Sequence, residues 1–204
     1  MNKNSLIMKI VRKIFILIFF FFYLTNSSWS QTASEFIDAL SVEASNVLSS
    51  KLSDEEKIII LKKIGEDTVD IEGVGLYTLG KHRKKLTDSQ KKQYKELFRN
   101  YFLKSFSGRL VGYSDAKIAV LSEEVKNEKY TIVYSKLIGT SDRPEIKIDW
   151  RVYTKDPDNP LIRDLIIEGL SLARTQKEEF NSIIVNNDGS IEALFENLSK
   201  FLEN

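Results

Sequence analysis

The chain has 204 residues, no cysteine, one histidine and a formal net charge of +1. This length allows one domain with a core large enough to be stable without cross-links, and the absence of cysteine excludes disulfides and thiolate metal sites. A charge so close to zero gives no electrostatic reason to expect a nucleic acid partner, and a single histidine excludes a multi-histidine metal site.

Residues 1–30 have the pattern of a secretory signal peptide. Four basic residues precede a continuously apolar run at 14–24, which is shorter than the ~20 residues that a membrane-spanning helix needs. Ser28 and Ser30 then occupy the −3 and −1 positions of a cleavage site before Gln31. The sequence therefore predicts export to the periplasm, with 31–204 as a single α+β domain. An uncleaved N-terminal anchor is the alternative interpretation.

The first half of the exported chain has the apolar spacing of helices. We expect Ser34 to cap the first helix, a Ser53 capping box to open the second, and Gly65 to end it. A Thr87 capping box opens the longest helix, which we expect Gly108 to end. The apolar stripe of that helix is unusually aromatic and consists of Tyr94, Leu97, Phe98, Tyr101, Phe102 and Phe106.

Between the second and the longest helix lies a glycine-punctuated apolar segment at 69–80, followed by a basic run at 81–85. The glycines do not indicate a nucleotide site, because no strand precedes them and no Gly-Lys-Ser/Thr follows. They are more typical of helices that pack closely or end. The basic run is interpreted as a solvated helix end whose cations complement the helix dipole. Contact with anionic lipid headgroups or with an acidic partner is the alternative.

From residue 116 the apolar pattern changes to a period of two, which predicts strands. Four antiparallel strands are expected, at 117–124, 129–138, 146–152 and 161–169. After Ser171 the chain is helical again, with an interruption at 187–189. The predicted architecture is α+β, with helices packed on a curved antiparallel sheet of four or more strands.

The polar residues of this segment do not form a convincing active site. Asp164 and Glu168 are four residues apart on one strand, so they lie roughly 13 Å apart, beyond the ~5–9.5 Å of a glycosidase pair. Ser171 lacks the Gly-x-Ser-x-Gly context of a nucleophile. His82 stands among cations and has no other histidine to share a metal site.

The strands carry a surplus of apolar side chains that are candidates for one concave face of the sheet. A dry core would pack this face against helices at crystal-like density. A lipid carrier would leave room for acyl chains, each buried methylene contributing about 0.8 kcal/mol. Periodicity alone does not decide between the two. The expected members of the face are Tyr130, Ile132, Tyr134, Ile146, Ile148, Trp150, Val152, Leu165 and Ile167.

Two segments carry a resemblance to a known family. Residues 164–171 and 175–184 resemble the C-terminal signature of the MlaC family, which comprises periplasmic phospholipid-binding proteins that are auxiliary components of toluene-tolerance-type ABC transporters. Residues 79–90 are similar to the family's Leu-Gly-Arg/Lys segment, and Asp70 matches an aspartate that commonly precedes it. The resemblance covers most of 31–204.

The chain departs from the family pattern at two places. His82 and Arg83 stand where aromatic residues are frequent, and Pro160 stands where a tryptophan often precedes the aspartate matched by Asp164. These departures concern the headgroup side and the partner contacts that the resemblance implies. The implied fold is unaffected by them.

The resemblance implies an NTF2-like fold that encloses an apolar lipid cavity and has no catalytic activity or cofactor. The protein would carry a diacyl phospholipid between an inner-membrane ABC transporter with an MCE-domain ring and an outer-membrane lipoprotein complex, which maintains outer-membrane lipid asymmetry. Two alternatives stay open: a carrier of another lipid such as a hopanoid, and an NTF2-like enzyme with Asp149 or Asp164 as base. The candidate lipid contacts are Leu76, Leu97, Tyr101, Tyr130, Ile132, Tyr134, Ile148, Trp150, Val152, Leu165 and Ile167.

Overall fold

The computed structural model of the protein describes residues 31–113, 117–140 and 144–204, and the predicted signal peptide lies outside these ranges. The helices are α1 (Ala33–Leu48), α2 (Asp54–Thr68), α3 (Ile71–Thr78), α4 (Asp88–Leu110), α5 (Leu172–Val185) and α6 (Ile191–Glu203), with a 3₁₀ helix at Gly80–Lys84 between α3 and α4. The strands are β1 (Ile118–Asn127), β2 (Tyr130–Leu137), β3 (Ile146–Tyr153), β4 (Leu161–Ile167) and β5 (Leu170–Ser171). Among the described helices, none combines the length and the apolar character needed to cross a membrane.

The five strands form one open antiparallel sheet in the order β1-β2-β3-β4-β5, so each strand pairs with its neighbour in the chain. This meander confirms the α+β prediction. The strand predicted at 161–169 is divided, because Glu168 and Gly169 both have positive φ angles, of 48° and 81°. Two such residues form a tight hairpin turn whose twist suits the flanking strands, and the chain reverses there into β5.

The capping boxes predicted at Ser53 and Thr87 are confirmed, whereas the prediction that Ser34 caps α1 is wrong. Thr32 caps this helix: its hydroxyl accepts from the Glu35 backbone N–H, and the Glu35 carboxylate accepts from the Thr32 N–H. Two exposed helical N–H groups are thereby satisfied. The Ser34 N–H donates instead to Oε2 of Glu123 on β1, at 2.6 Å.

The prediction that Gly65 and Gly108 end helices is wrong, because α2 and α4 both continue past them. Gly65 instead allows a close approach between these two helices. A Cβ at Gly65 would lie 3.2 Å from the ring of Phe106. Gly75 in α3 is tighter still, since a Cβ there would lie 2.7 Å from Cδ1 of Phe98 on α4. Gly65 and Gly75 therefore serve helix packing, and for Gly75 this is one of the two roles that the sequence predicted for the glycines of 69–80.

Buried apolar side chains form two clusters in the described part of the chain. The helical cluster joins α3, α4, α5 and α6 and contains Ile71, Val74, Leu79, Leu86, Tyr94, Phe98, Leu103, Ala173, Phe180, Ile184, Ile191, Leu194, Phe195 and Leu198. The sheet cluster joins α1 and α2 to the sheet and contains Ala33, Ile37, Leu40, Leu48, Leu61, Ile64, Val133, Val152 and Ile162. Val69, between α2 and α3, packs against both clusters.

Candidate lipid-binding site

One face of the sheet, here called the inner face, is directed at α1 and α2. Residues that oppose each other in an antiparallel ladder have their side chains on the same face. Because Val133 opposes Trp150 and Trp150 opposes Leu165, these three side chains share the inner face. By the same register its members on β2, β3 and β4 are Thr131, Val133, Ser135, Leu137, Ile146, Ile148, Trp150, Val152, Ile162, Leu165 and Ile167.

The middle of the inner face is buried and its edge is partly open. Val133 and Val152 are fully buried against the helices. Trp150, Leu165 and Ile167 are only half-buried, and the first two pack on the sheet cluster from its margin. Apolar surface therefore extends from the buried core to a solvent-accessible boundary along β3 and β4.

The polar groups of the inner face are satisfied within the protein. Nε1 of Trp150 donates a hydrogen bond of 2.9 Å to Oγ of Ser135, and Oγ of Ser135 donates to the carbonyl oxygen of Ile148 at 2.8 Å. These bonds fix the plane of the indole ring, and they leave its hydrocarbon surface as the part that faces other groups. The inner face thus presents hydrocarbon rather than free donors.

The prediction that Tyr130, Ile132 and Tyr134 share the inner face is wrong. These three residues oppose Tyr153, Arg151 and Asp149, so they lie on the opposite, outer face of the sheet. The alternate residues of β2 are the ones that face inward, although two of them are polar: Thr131 and Ser135 are 4% and 1% exposed.

Internal hydrogen bonds explain why the small hydroxyl residues of β2 tolerate burial. Thr131 Oγ1 lies 3.2 Å from Thr154 Oγ1, and Ser135 donates to a backbone carbonyl, so neither hydroxyl loses its partner when water is removed. On the outer face, the Tyr134 hydroxyl donates to Oε2 of Glu124 at 2.7 Å. The larger aromatic residues of β2 therefore lie where their hydroxyl groups can reach charged partners.

A polar cluster on the outer side connects the sheet to the start of α3. Arg163 donates through Nε to Oδ2 of Asp70 at 2.6 Å and through Nη1 to the Tyr130 hydroxyl at 2.6 Å, and its guanidinium lies 3.9 Å from the centre of the Tyr153 ring. Burial alone would lower the pKa of Arg163, but the bonds to Tyr130 and Asp70 raise it above its ordinary value. Oδ1 of Asp70 also accepts from the Gly73 N–H and caps α3. The Tyr130 hydroxyl is therefore bonded to Arg163 as part of a structural cluster.

The three candidate contacts from the helices lie in or beside the helical cluster. Leu97 and Tyr101 pack against it as half-buried residues, and Leu76 borders a small pocket between α3 and α4. The Tyr101 hydroxyl donates to Oε1 of Gln176 at 2.8 Å. Burial, reinforced by the charge of Glu179, raises the pKa of Tyr101, so its hydroxyl stays protonated at neutral pH.

Asp164 joins the hairpin of β4 and β5 to helix α5. Its Oδ2 accepts from Oγ of Ser171 at 2.6 Å, and its Oδ1 accepts from the Ala173 N–H at 3.0 Å. Ser171 in turn accepts from the Arg174 N–H and caps α5. Asp164 is 5% exposed, and both oxygens of its carboxylate accept hydrogen bonds. The segment 164–171 therefore builds a strand–turn–helix junction, with Gly169 in the turn.

Replacing Asp164 with alanine is expected to lower the free energy of unfolding by about 2–4 kcal/mol, because a helix cap is lost and a buried N–H is left without an acceptor. Urea unfolding followed by circular dichroism measures the change. Asp164→Asn, which keeps one acceptor oxygen, should lose less, and Asp158→Ala in the exposed loop should change the stability by under about 0.5 kcal/mol. Equal stability of the Asp164 and Asp158 alanine variants would contradict the capping role.

Two pockets formed by the described residues lie away from the inner face. One, of about 130 Å³, is lined by residues of α3 and α4, and the other, of about 330 Å³, is lined by the 3₁₀ helix and α5. Clefts for drug-sized ligands enclose roughly 300–1,000 Å³, and a diacyl phospholipid is larger than such ligands. The acyl-chain cavity thus stays a prediction.

Across 31–113, 117–140 and 144–204, no three acidic or histidine side chains are grouped so as to hold a metal ion.

Comparisons with known proteins agree with this fold. A phospholipid-binding protein from Ralstonia solanacearum, solved in complex with a phospholipid, superposes with a TM-score of 0.68 and 17% sequence identity over 85% of this chain and 97% of that chain. At that identity the likeness concerns the fold. A comparison with curated proteins gives no match. The family model described as "MlaC protein" matches residues 32–200. The chain therefore belongs to the MlaC family.

Proposed function

We propose that the protein is a periplasmic carrier that binds a diacyl phospholipid and shuttles it between an inner-membrane ABC transporter and an outer-membrane lipoprotein complex, maintaining outer-membrane lipid asymmetry. Membership of the MlaC family over residues 32–200 supports phospholipid binding and transport. The structural observation that carries the proposal is the inner face. Most of its side chains are apolar, and its few polar side chains are hydrogen-bonded within the protein. The protein shields acyl chains from water, at about 0.8 kcal/mol per buried methylene.

The margin of the inner face is the proposed place of lipid contact. Trp150, Leu165 and Ile167 are half-buried there, whereas Ile148 and Val152 are buried behind them. Acyl chains that enter at the margin reach the buried residues once α1 and α2 separate from the sheet. The proposed contacts are accordingly Ile148, Trp150, Val152, Leu165 and Ile167.

The enzyme alternative has little to support it in the described structure. A base that abstracts a proton must reach its substrate directly or through one water. Asp164 is buried and holds the start of α5. Asp149 lies on the outer face, where its Oδ2 is 3.5 Å from Nζ of Lys147. Neither carboxylate faces the apolar side of the sheet, so we propose a carrier without catalytic activity.

The proposed localisation rests on the sequence of residues 1–30 and on the family, whose members are periplasmic. Cleavage after Ser30 would leave a chain that begins at Gln31. Of the 30 Lys and Arg residues, the four basic residues of the signal would be removed, and 26 would remain against 29 Asp and Glu. The exported protein is then mildly acidic.

Protein purified from the periplasm without detergent is expected to carry one diacyl phospholipid, visible as an added mass in native mass spectrometry. The denatured intact mass from the same sample reports whether cleavage occurred after Ser30. Solvent extraction followed by lipid mass spectrometry identifies the ligand and separates a phospholipid from a hopanoid. Protein that is empty and also fails to extract phospholipid from liposomes would contradict the carrier function.

A pair of tryptophan substitutions locates the lipid. Ile167→Trp enlarges a half-buried residue of the inner face and should displace the lipid if that face lines the site. Ile138→Trp adds the same bulk at a residue that is 44% exposed, beyond the end of β2, and should leave the bound lipid unchanged. Loss of lipid in both variants, or in neither, would contradict the proposed position.

A further inference from the structure

A patch of unpaired cations surrounds the 3₁₀ helix between α3 and α4. Lys81, Arg83, Lys84 and Lys85 are exposed. None of them takes part in the ion pairs formed among the described residues. Many other lysine and arginine residues of the described chain form ion pairs, for example Lys95 with Glu72. Four positive charges within five residues therefore keep their full attraction for an external anion.

Lys177 of α5 adds a fifth cation, which the structure holds beside this segment. Its side chain crosses Gly80, where an added Cβ would lie 2.9 Å from Cε of Lys177, and Gly80 has a φ of +53°. Its Nζ lies 5.0 Å from the ring centre of Tyr77. A cation over an aromatic face is stabilised without a carboxylate, so this ammonium group is positioned but not neutralised by a carboxylate of the described chain. The five cations together are here called the basic platform.

A groove of about 330 Å³ opens in the basic platform between the 3₁₀ helix and α5. A nitrogen of the His82 ring lies 3.0 Å from the Asn181 side-chain oxygen, which orients both side chains at the groove. The groove is lined by Leu79, Gly80, Lys81, His82, Lys177, Glu178 and Asn181, so it includes one carboxylate. Its other polar side chains suit a phosphate group, which lysine binds as a point charge.

We propose that the basic platform docks the protein on the surface of an anionic phospholipid bilayer, with a lipid phosphate group in the groove. Each basic residue close to an anionic leaflet contributes to such attraction. Lysine is depleted in protein–protein interfaces, whose centres are apolar and desolvated, and this patch is rich in lysine and has Tyr77 as its exposed apolar residue. The proposal does not depend on a lipid bound inside the protein. It assigns the surface with which the protein contacts membrane lipids.

Co-sedimentation with vesicles tests the proposal, using protein purified from the periplasm. The protein should bind vesicles of phosphatidylcholine mixed with phosphatidylglycerol and should not bind phosphatidylcholine alone, and the binding should weaken as salt is added. Lys84→Glu together with Lys85→Glu should reduce partitioning by about 25-fold or more, since each basic residue near the surface contributes about fivefold. Lys177→Gln should reduce it by about fivefold.

The matched control is Lys51→Glu together with Lys155→Glu, which changes the net charge equally at two other exposed lysines. This control should bind the vesicles nearly as well as the unsubstituted protein. Equal binding by the control and the Lys84/Lys85 variant would overturn the proposal, as would equal binding to neutral and anionic vesicles. Absence of vesicle binding combined with cross-linking of this face to an acidic protein would also overturn it, in favour of a protein partner.

Discussion

Replacing Trp150 with glutamate is expected to abolish co-purification of phospholipid and to lower the free energy of unfolding by about 2–4 kcal/mol, because a half-buried aromatic ring is lost and a carboxylate is placed against hydrocarbon. The indole ring packs on the sheet cluster, opposite Val133 and Leu165, and its N–H is bonded to Ser135. A carboxylate in this position would lie against hydrocarbon without a partner. Native mass spectrometry measures the bound lipid, and urea unfolding measures the stability.

Two control variants separate the ring from the charge at position 150. Trp150→Phe keeps an aromatic ring and loses the bond to Ser135, so we expect lipid to be retained at a cost of about 1 kcal/mol. Ile59→Glu places the same carboxylate on the exposed side of α2, at a residue that is 68% exposed, and should change little. If Trp150→Glu melts and binds lipid like the unsubstituted protein, the inner face is not the lipid site.

Phe98→Ala is expected to lower the free energy of unfolding by about 3–5 kcal/mol. Phe98 is 3% exposed in the helical cluster, and the Tyr94, Tyr101, Phe102 and Phe180 rings all lie within 6.3 Å of its ring, centre to centre. Removing it leaves a cavity that these four rings cannot all move to fill. Calorimetric or urea unfolding measures the loss.

The matched control for this second variant is Phe201→Ala. Phe201 also touches Tyr101, with ring centres 4.8 Å apart, but it is 38% exposed at the end of α6. Water already covers part of that ring, so a smaller loss is expected than at Phe98. A loss at Phe98 no larger than that at Phe201 would show that the helical cluster relaxes around the missing ring and does not depend on this packing.

The sequence predicted the features of the fold that depend on neighbouring residues. The Ser53 and Thr87 capping boxes are confirmed because the residues that form them lie three positions apart on the same turn. The end of α2 was mispredicted because Gly65 meets a side chain far along the chain, Phe106 of α4. A glycine that ends a helix and one that admits a neighbouring helix have the same local pattern, and only tertiary contacts distinguish them.

The candidate site was predicted in part for a similar reason. On β3, charged residues alternate with Ile148, Trp150 and Val152, so the buried face was evident. On β2, both alternating sets contain apolar residues, and the polar members of the buried set are Thr131 and Ser135, whose partners lie on or just beyond β3. Cross-strand hydrogen bonds of this kind leave no periodic signal in the sequence of one strand.

The capping box at Thr32 has a consequence for the proposed cleavage of the signal peptide. Cleavage after Ser30 leaves Thr32 as the second residue, with both its N–H and its hydroxyl bonded to Glu35. A cut two positions later would remove Thr32 and expose the first turn of α1, which carries the buried Ile37 into the sheet cluster. The proposed cleavage after Ser30 therefore preserves the cap of α1, and a later cleavage would destabilise this helix.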